Sequence, residues 1–311
     1  MKRTRAGAAV AMMMLALAAL AAPASAKSHP TPVQEWEKWR RSENAGWSTD
    51  KYALLKIDDA IYLKPGEAAT LARASTTPVA QYKFTLEGAP GAAAPVSAPA
   101  LSIAYNEPNA VVTRGGKAKT YKLSEKTVHI PLGRGVEFGM QLAQVTPGKM
   151  GLRAFVFNQA NPLAKSFKGL DHFPFDPAFV VTAAFEPAAT VEGVDFQTSR
   201  GWYKRFYRTG FAVFTLQGKN VRLPLYADSD EPKKIKDLSA FFLDDLTGKE
   251  TYGVGRYVNI DLKSFPPHTV TIDFNRAYNP NCARSPHYNC PVATDTIPLA
   301  IRAGEKKPPG H

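Results

Sequence analysis

The residues best suited to chemistry in this 311-residue chain crowd between positions 247 and 306. They read Thr247-Gly-Lys-Glu-Thr-Tyr-Gly-Val-Gly-Arg256-Tyr257, then Asp273-Phe-Asn-Arg-Ala-Tyr-Asn279-Pro280, and finally Ala303-Gly-Glu305-Lys306. Side chains alternate between the faces of a strand. Asp273, Asn275, Ala277 and Asn279 are therefore expected on one face, and Phe274, Arg276 and Tyr278 on the other. Carboxylate and amide groups sharing a face can rim a pocket. Arg256 can neutralise Asp273 or clamp an anion through its planar fork of donors. The candidate ligand-binding residues are Arg256, Asp273, Asn275, Arg276, Tyr278, Asn279 and Glu305. An alternative, hydrolytic reading takes Asp273 and Glu305 as catalytic candidates, because glycosidase-type chemistry needs two carboxylates roughly 5 to 10 Å apart across a cleft. The same residues also have a purely architectural reading. Asp and Asn cap turns, Asn279-Pro280 opens one, and Arg256–Asp273 or Arg276–Glu305 pairs can simply satisfy buried charge.

Cys282 and Cys290 are the only two cysteines, and His287 lies between them. In an exported chain a lone pair is expected to form a disulfide. Closing so short a loop is worth about 2.5 kcal/mol on the chain-entropy model and would stiffen the neighbouring Asp273–Asn279 run. Zinc held by Cys282, His287 and Cys290 is the competing reading. Their spacing is not a standard zinc pattern and no fourth ligand is evident, so no metal is expected. The other histidines, at 29, 129, 172, 268 and 311, are scattered. Only His172, beside Phe173-Pro-Phe-Asp176, stands near other notable residues. No Gly-x-Ser-x-Gly elbow, His-Glu-x-x-His helix or phosphate loop occurs, and no cofactor is expected.

The compartment follows from the first residues. Lys2, Arg3 and Arg5 precede an apolar run over 8–22 and small residues at Ala24 and Ala26, the pattern of a secretory leader cleaved after Ala26. The expected location is periplasmic or secreted. No later stretch is long and apolar enough to anchor the chain in a bilayer. Losing the three basic leader residues takes the net charge from +12 to +9. Such a balance favours an anionic partner, either a small molecule or an envelope component such as a cell-wall polymer or lipid headgroup, and export argues against nucleic acid. Oligomeric state has no signature here.

The expected fold is mainly β, a two-part sandwich or open barrel with a short N-terminal helix. Residues 31–44 carry Val33, Trp36 and Trp39 at helical spacing among charges. Short β-rich runs follow at 52–57, 60–63, 80–86, 102–105, 110–113, 119–123, 127–131, 140–145 and 152–158. After an irregular segment come others at 179–185, 191–198, 211–216, 221–226, 240–244, 256–260 and 269–274. Turn chemistry separates them at Pro65-Gly66, Gly115-Gly116, Pro147-Gly148 and Gln217-Gly218. Residues 88–99 are Ala/Pro/Gly-rich and expected to be a loop. The expected organisation is a leader over 1–26, a helix-plus-β domain over 27–160 and a β domain over 161–311. Arg200-Gly-Trp202-Tyr-Lys-Arg-Phe-Tyr-Arg208 is expected to be a strand or hairpin, either covering a sheet edge or presenting an aromatic, basic contact face.

The motifs of the 247–306 region resemble domain-of-unknown-function family 1684. Its expected pattern has a Gly-Lys-Glu-Thr-Tyr-Gly-x-Gly-Arg run, an Asp-Phe-Asn-Arg-Ala-Tyr-Asn-Pro run, two cysteines and a closing Ala-Gly-Glu. Phe167-x-Gly-Leu170, Phe173-Pro174-x-Asp176 and, less sharply, Trp39-Arg40 and Gly46-Trp47 extend the likeness upstream. The resemblance implies no assigned activity. The chain departs from the family pattern at Asn281, where a proline is expected, and at Thr294-Asp295-Thr296-Ile297-Pro298, where a Glu-Asn-Arg-Leu-Pro run is expected. A function that used that Glu and Arg would be altered here.

Overall fold

The computed structural model describes residues 30–75, 79–88 and 100–309. The expected leader over 1–26, nearly all of the 88–99 loop, His29 and His311 lie outside the described residues.

Helix α1 (Pro32–Thr49) starts at a reciprocal cap. The Thr31 hydroxyl accepts the Gln34 N–H at 3.3 Å, the Gln34 side chain accepts the Thr31 N–H at 2.8 Å, and Pro32 has no N–H to satisfy. The helix continues past its expected end at Asn44. Ser48 and Thr49 hydroxyls bond back to the Ala45 carbonyl, and Trp47 stacks on Phe167 at 6.0 Å. The strand expected over 52–57 is instead mostly turn and one turn of 3-10 helix, Leu54–Lys56. The Lys56 ammonium turns back onto the carbonyls of Thr49 and Asp50 at 3.2 and 2.6 Å, satisfying acceptors that the helix end leaves open.

Nine strands follow: β1 (Ile57–Leu63), β2 (Ala68–Ser75), β3 (Gln81–Leu86), β4 (Leu101–Asn106), β5 (Asn109–Arg114), β6 (Lys117–Lys122), β7 (Val128–Gly133), β8 (Val136–Thr146) and β9 (Lys149–Asn158). They form antiparallel sheets of order β1-β9-β8-β7 and β3-β2-β4-β5-β6. Leu63, Leu71, Ile103, Phe138, Met140 and Leu152 fill one shared core between them. Strand β2 was not expected, because its Ala-rich sequence has little intrinsic strand preference. Ala69 and Leu71 alternate into the core and pay the entropy of ordering through burial.

The second half adds helix α2 (Pro162–Ser166) and strands β10 (Val180–Gln197), β11 (Tyr203–Leu216), β12 (Lys219–Ala227), β13 (Asp237–Leu243), β14 (Arg256–Asp261), β15 (Thr269–Asp273) and β16 (Asp295–Thr296). The strand order is β14-β13-β12-β11-β10-β15, with β16 parallel to β13. Tyr257 of β14 exchanges backbone hydrogen bonds of 2.9 Å with Tyr278, which follows β15 and its 3-10 turn, so the sheet curls into a nearly closed barrel around Leu223, Ala240, Phe242, Val258, Ile272 and Phe274. The protein is thus mainly β, with a short N-terminal helix. The two strands expected over 179–185 and 191–198 are one strand, β10, whose register shifts between Pro187 and Glu192. Gln217 and Gly218 both take positive φ, 50° and 77°, the twist a two-residue hairpin requires.

The basic aromatic segment around Trp202 joins the two halves. Trp202 packs on Tyr62 with 4.7 Å between ring centres, Phe206 is buried, and Gln144 bonds both Asp195 and the Arg205 N–H. The strand reading holds here; the segment's central rings are spent inside the chain. No helix of the described residues is long and apolar enough to cross a membrane.

Candidate functional site

Helix α1 precedes the first sheet in sequence but docks on the second half. The Trp36 indole N–H donates to the Asn275 carbonyl at 2.9 Å, and His172 meets Trp36 and Trp39 edge-on, each at 6.0 Å. Between the helix and the barrel lies a groove of about 810 Å³. Trp39, Glu43, Trp47 and Asp50 form its helix wall, Asn259, Asp261, Arg276 and Tyr278 its barrel wall, and Leu170, His172, Asn281 and Glu305 also line it.

Of the seven sequence-derived ligand candidates, Arg276, Tyr278 and Glu305 reach this groove. The Arg276 guanidinium lies over Trp39 at 5.5 Å and pairs with Asp273 at 3.4 Å. The Tyr278 hydroxyl donates to Asn259 at 3.1 Å, and burial pushes its pKa up to about 12. Glu305 is 1 % exposed. One of its oxygens accepts from Arg284 and the other accepts the Asn279 N–H at 2.9 Å. Burial pushes its pKa up while Arg284 opposes the rise.

The remaining four are structural in this fold. Arg256 does not meet Asp273 or open onto solvent; its guanidinium is 1 % exposed. It pairs with Asp244 at 2.7 Å and donates to the carbonyls of Ile301, at 2.8 Å, and Ala303. The alternation expected over Asp273–Asn279 breaks at once, because residues Phe274–Arg276 form a 3-10 turn. Asp273 causes it: its Oδ1 accepts the Asn275 N–H at 3.0 Å, the capping role open to any Asp at a chain reversal. Asn275 is fully buried and exchanges two 2.9 Å hydrogen bonds with the Asp176 backbone, which explains why Phe173-Pro-x-Asp176 stands out in the sequence. Asn279 ties the tail by donating to the Lys306 carbonyl at 2.7 Å. Asp273 does not line the groove, so Glu305 has no carboxylate partner there from the expected hydrolytic pair.

Cys282 and Cys290 stand beside one another as free thiols, where a disulfide was expected. The Cys282 N–H donates to Cys290 Sγ at 3.3 Å. Hydrogen bonding to Cys290, Ser199 and Tyr252 holds Cys282 down to about 7, while the same contact and burial push Cys290 up. His287 turns away and meets Asp59 of β1 at 3.3 Å, and among the described residues no three His, Cys, Asp or Glu side chains gather closely enough to hold a metal ion.

The family described as "Protein of unknown function (DUF1684)" matches residues 165–306. The chain belongs to this family. A solved relative is an uncharacterized protein of Haloarcula marismortui, determined by solution NMR. It is 30 % identical over 48 % of this chain and 82 % of its own, with a TM-score of 0.41. No curated protein matches. The DUF1684 region contains the barrel wall of the groove, His172 and Glu305, whereas the wall built by α1 precedes it. Sequence reasoning missed that wall. The Trp-x-x-Trp spacing was visible, but nothing local tells which surface those indoles meet.

His172 supplies a test of the packing at this groove. Its Nδ1–H donates to the Leu170 carbonyl at 3.3 Å, and burial pushes its pKa down from 6.5 to about 4. Below 6.5 the unfolded chain binds a proton that the folded chain refuses until about 4, so stability falls as pH drops through that window. Allowing for partial exposure, the loss is expected to approach about 2 kcal/mol. Urea denaturation of the parent and His172→Gln at pH values above and below the window checks it. Equal pH dependence in both proteins would show that His172 does not carry the effect.

Proposed function

We propose that the chain is an exported, non-catalytic binding protein of the bacterial envelope or its exterior, and that the groove between α1 and the barrel is its ligand site. The observation that carries this reading is the convergence of two segments far apart in sequence. Trp39 and Trp47 from one face Arg276, Tyr278 and Asn259 from the other across a single groove. Ligand sites are typically such clefts, with aromatic surface for contact area and a few convergent polar groups for orientation. Export rests on the basic, apolar and small-residue sequence of the leader. In an oxidising compartment Cys282 and Cys290 close to a disulfide by exchange with a disulfide-bearing oxidant, which leaves as its dithiol.

The surplus of basic residues that led to an anionic ligand being expected does not face the groove. Lys117, Lys119 and Lys122 of β6, for example, are exposed on an outer edge of the first half, a common protection against edge-to-edge pairing.

Two measurements test the reading. The chain recovered from the periplasm or the medium of expressing cells should begin at Lys27; retention of residues 1–26 on a chain found only in the cytoplasm would remove the export reading. In a screen of cell-wall fragments and headgroup analogues, Trp39→Ala should weaken any hit at least tenfold, whereas Lys119→Ala should not. Unchanged binding by the Trp39 variant would place the site elsewhere.

A further inference from the structure

We infer that the ligand of this groove is an organic cation, carrying ammonium or guanidinium groups; the inference rests on the groove being the ligand site. A chain with 39 basic and 27 acidic residues lines it with Glu43, Asp50, Asp261 and Glu305 against Arg276 alone. Glu305 is matched by Arg284, and Arg276 is matched by Asp273. That leaves Glu43, Asp50 and Asp261, none of which forms an ion pair among the described residues. At the helix end, the Lys56 ammonium is directed at the Thr49 and Asp50 carbonyls, and that of Lys51 at Glu137.

The barrel wall adds a further sign. Asp261 of β14 lies directly opposite Asp237 of β13 in the antiparallel register. Like charges at directly opposed positions destabilise a sheet. Asp237 has its proton affinity raised by burial and further by Asp228 and Asp261. A fold that keeps this repulsion at the edge of a groove gains from a positive ligand placed against it.

The groove's aromatic rings suit the same partner. A guanidinium already lies over each tryptophan: Arg276 over Trp39 at 5.5 Å and Arg284 over Trp47 at 5.6 Å. Tryptophan is the strongest cation–π acceptor among the side chains. Arg276 keeps 43 % of its side chain exposed and can yield its place to a ligand cation. The carboxylates are too dispersed for a metal ion, since no three ligating side chains converge among the described residues. An extended organic cation can span them.

Titration calorimetry of the leader-free chain with spermidine, N,N′-diacetylchitobiose and trigalacturonate decides the matter. Spermidine is expected to bind. The double variant Glu43→Gln/Asp261→Asn should weaken it at least tenfold, Trp39→Ala should weaken it too, and added salt should weaken it in the parent. Spermidine binding that is indifferent to the double variant, or absent, overturns the inference. If instead the neutral or anionic sugar binds and Trp39→Ala abolishes that binding, the groove remains the site and only its cationic preference falls. If no probe responds to Trp39→Ala, both readings fall. Asp261→Asn alone should also raise the thermal midpoint by relieving Asp237; an unchanged or lower midpoint counts against the stored repulsion.

Discussion

Arg256→Ala is expected to destabilise the protein by about 5 kcal/mol, the upper range for breaking a buried ion pair. The variant would leave the Asp244 carboxylate, itself 1 % exposed, without its countercharge. It would also strip donors from the Ile301 and Ala303 carbonyls and remove the guanidinium that lies over the Phe242 ring at 5.3 Å. Unpaired buried acceptors and the cavity add to the loss of the pair. Arg256→Met keeps most of the volume and should lose somewhat less. Urea denaturation measures both, and a loss below about 1 kcal/mol for the alanine variant would contradict the clamp described here. The effect reaches the groove indirectly. Arg256 anchors the tail over Ile301–Glu305, and Glu305 is positioned by that tail.

Gly304→Ala is expected to cost about 3 to 4 kcal/mol, from overpacking and from a left-handed backbone. Gly304 has a φ of +77°, and a Cβ there would lie 2.5 Å from the Ala277 carbonyl oxygen and 2.7 Å from that of Phe274. Both obstacles are backbone, so neither can swing aside. The next residue is Glu305, whose N–H donates to the Ala277 carbonyl at 2.8 Å. Any shift at Gly304 therefore displaces the groove's buried carboxylate. Thermal denaturation compared with Gly248→Ala separates the two causes. Gly248 has a similar φ of +79° but nothing within 4 Å of its would-be Cβ, so it should show the conformational cost alone. Equal losses in the two variants would mean that crowding at Gly304 contributes nothing.

Both substitutions fall in motifs that are conspicuous in the sequence, and both act through architecture. The Asp273–Asn279 run is dense in polar groups because a strand end, a 3-10 turn and the C-terminal tail are tied together there by side-chain hydrogen bonds, while Phe274 and Ala277 between them fill the barrel core. Asp273 caps, Asn275 holds Asp176 and accepts Trp36 through its carbonyl, and Asn279 holds Lys306. A buried polar residue satisfying the backbone and one awaiting a ligand have the same letters in a sequence. They differ only in whether their hydrogen-bonding capacity is already used, and that is a property of distant neighbours.

What residue order by itself determined is local. Thr31-Pro32-x-Gln34 starts a helix because its side chains satisfy the helix's own first donors. Alternating apolar residues place strands such as β12 and β15, and Gln217-Gly218 reverses the chain because the turn demands two left-handed residues. Tertiary structure decided everything that depends on non-local pairing. It made a strand of the alanine-rich β2, sealed Arg256 against Asp244, and brought Trp39, Trp47, Glu43 and Asp50 across to Asp261, Arg276 and Tyr278. The physical reason is the range of the forces involved. Capping and turn preferences act over three or four residues of chain, whereas burial and charge pairing act through space, and only the folded chain defines which residues are near in space.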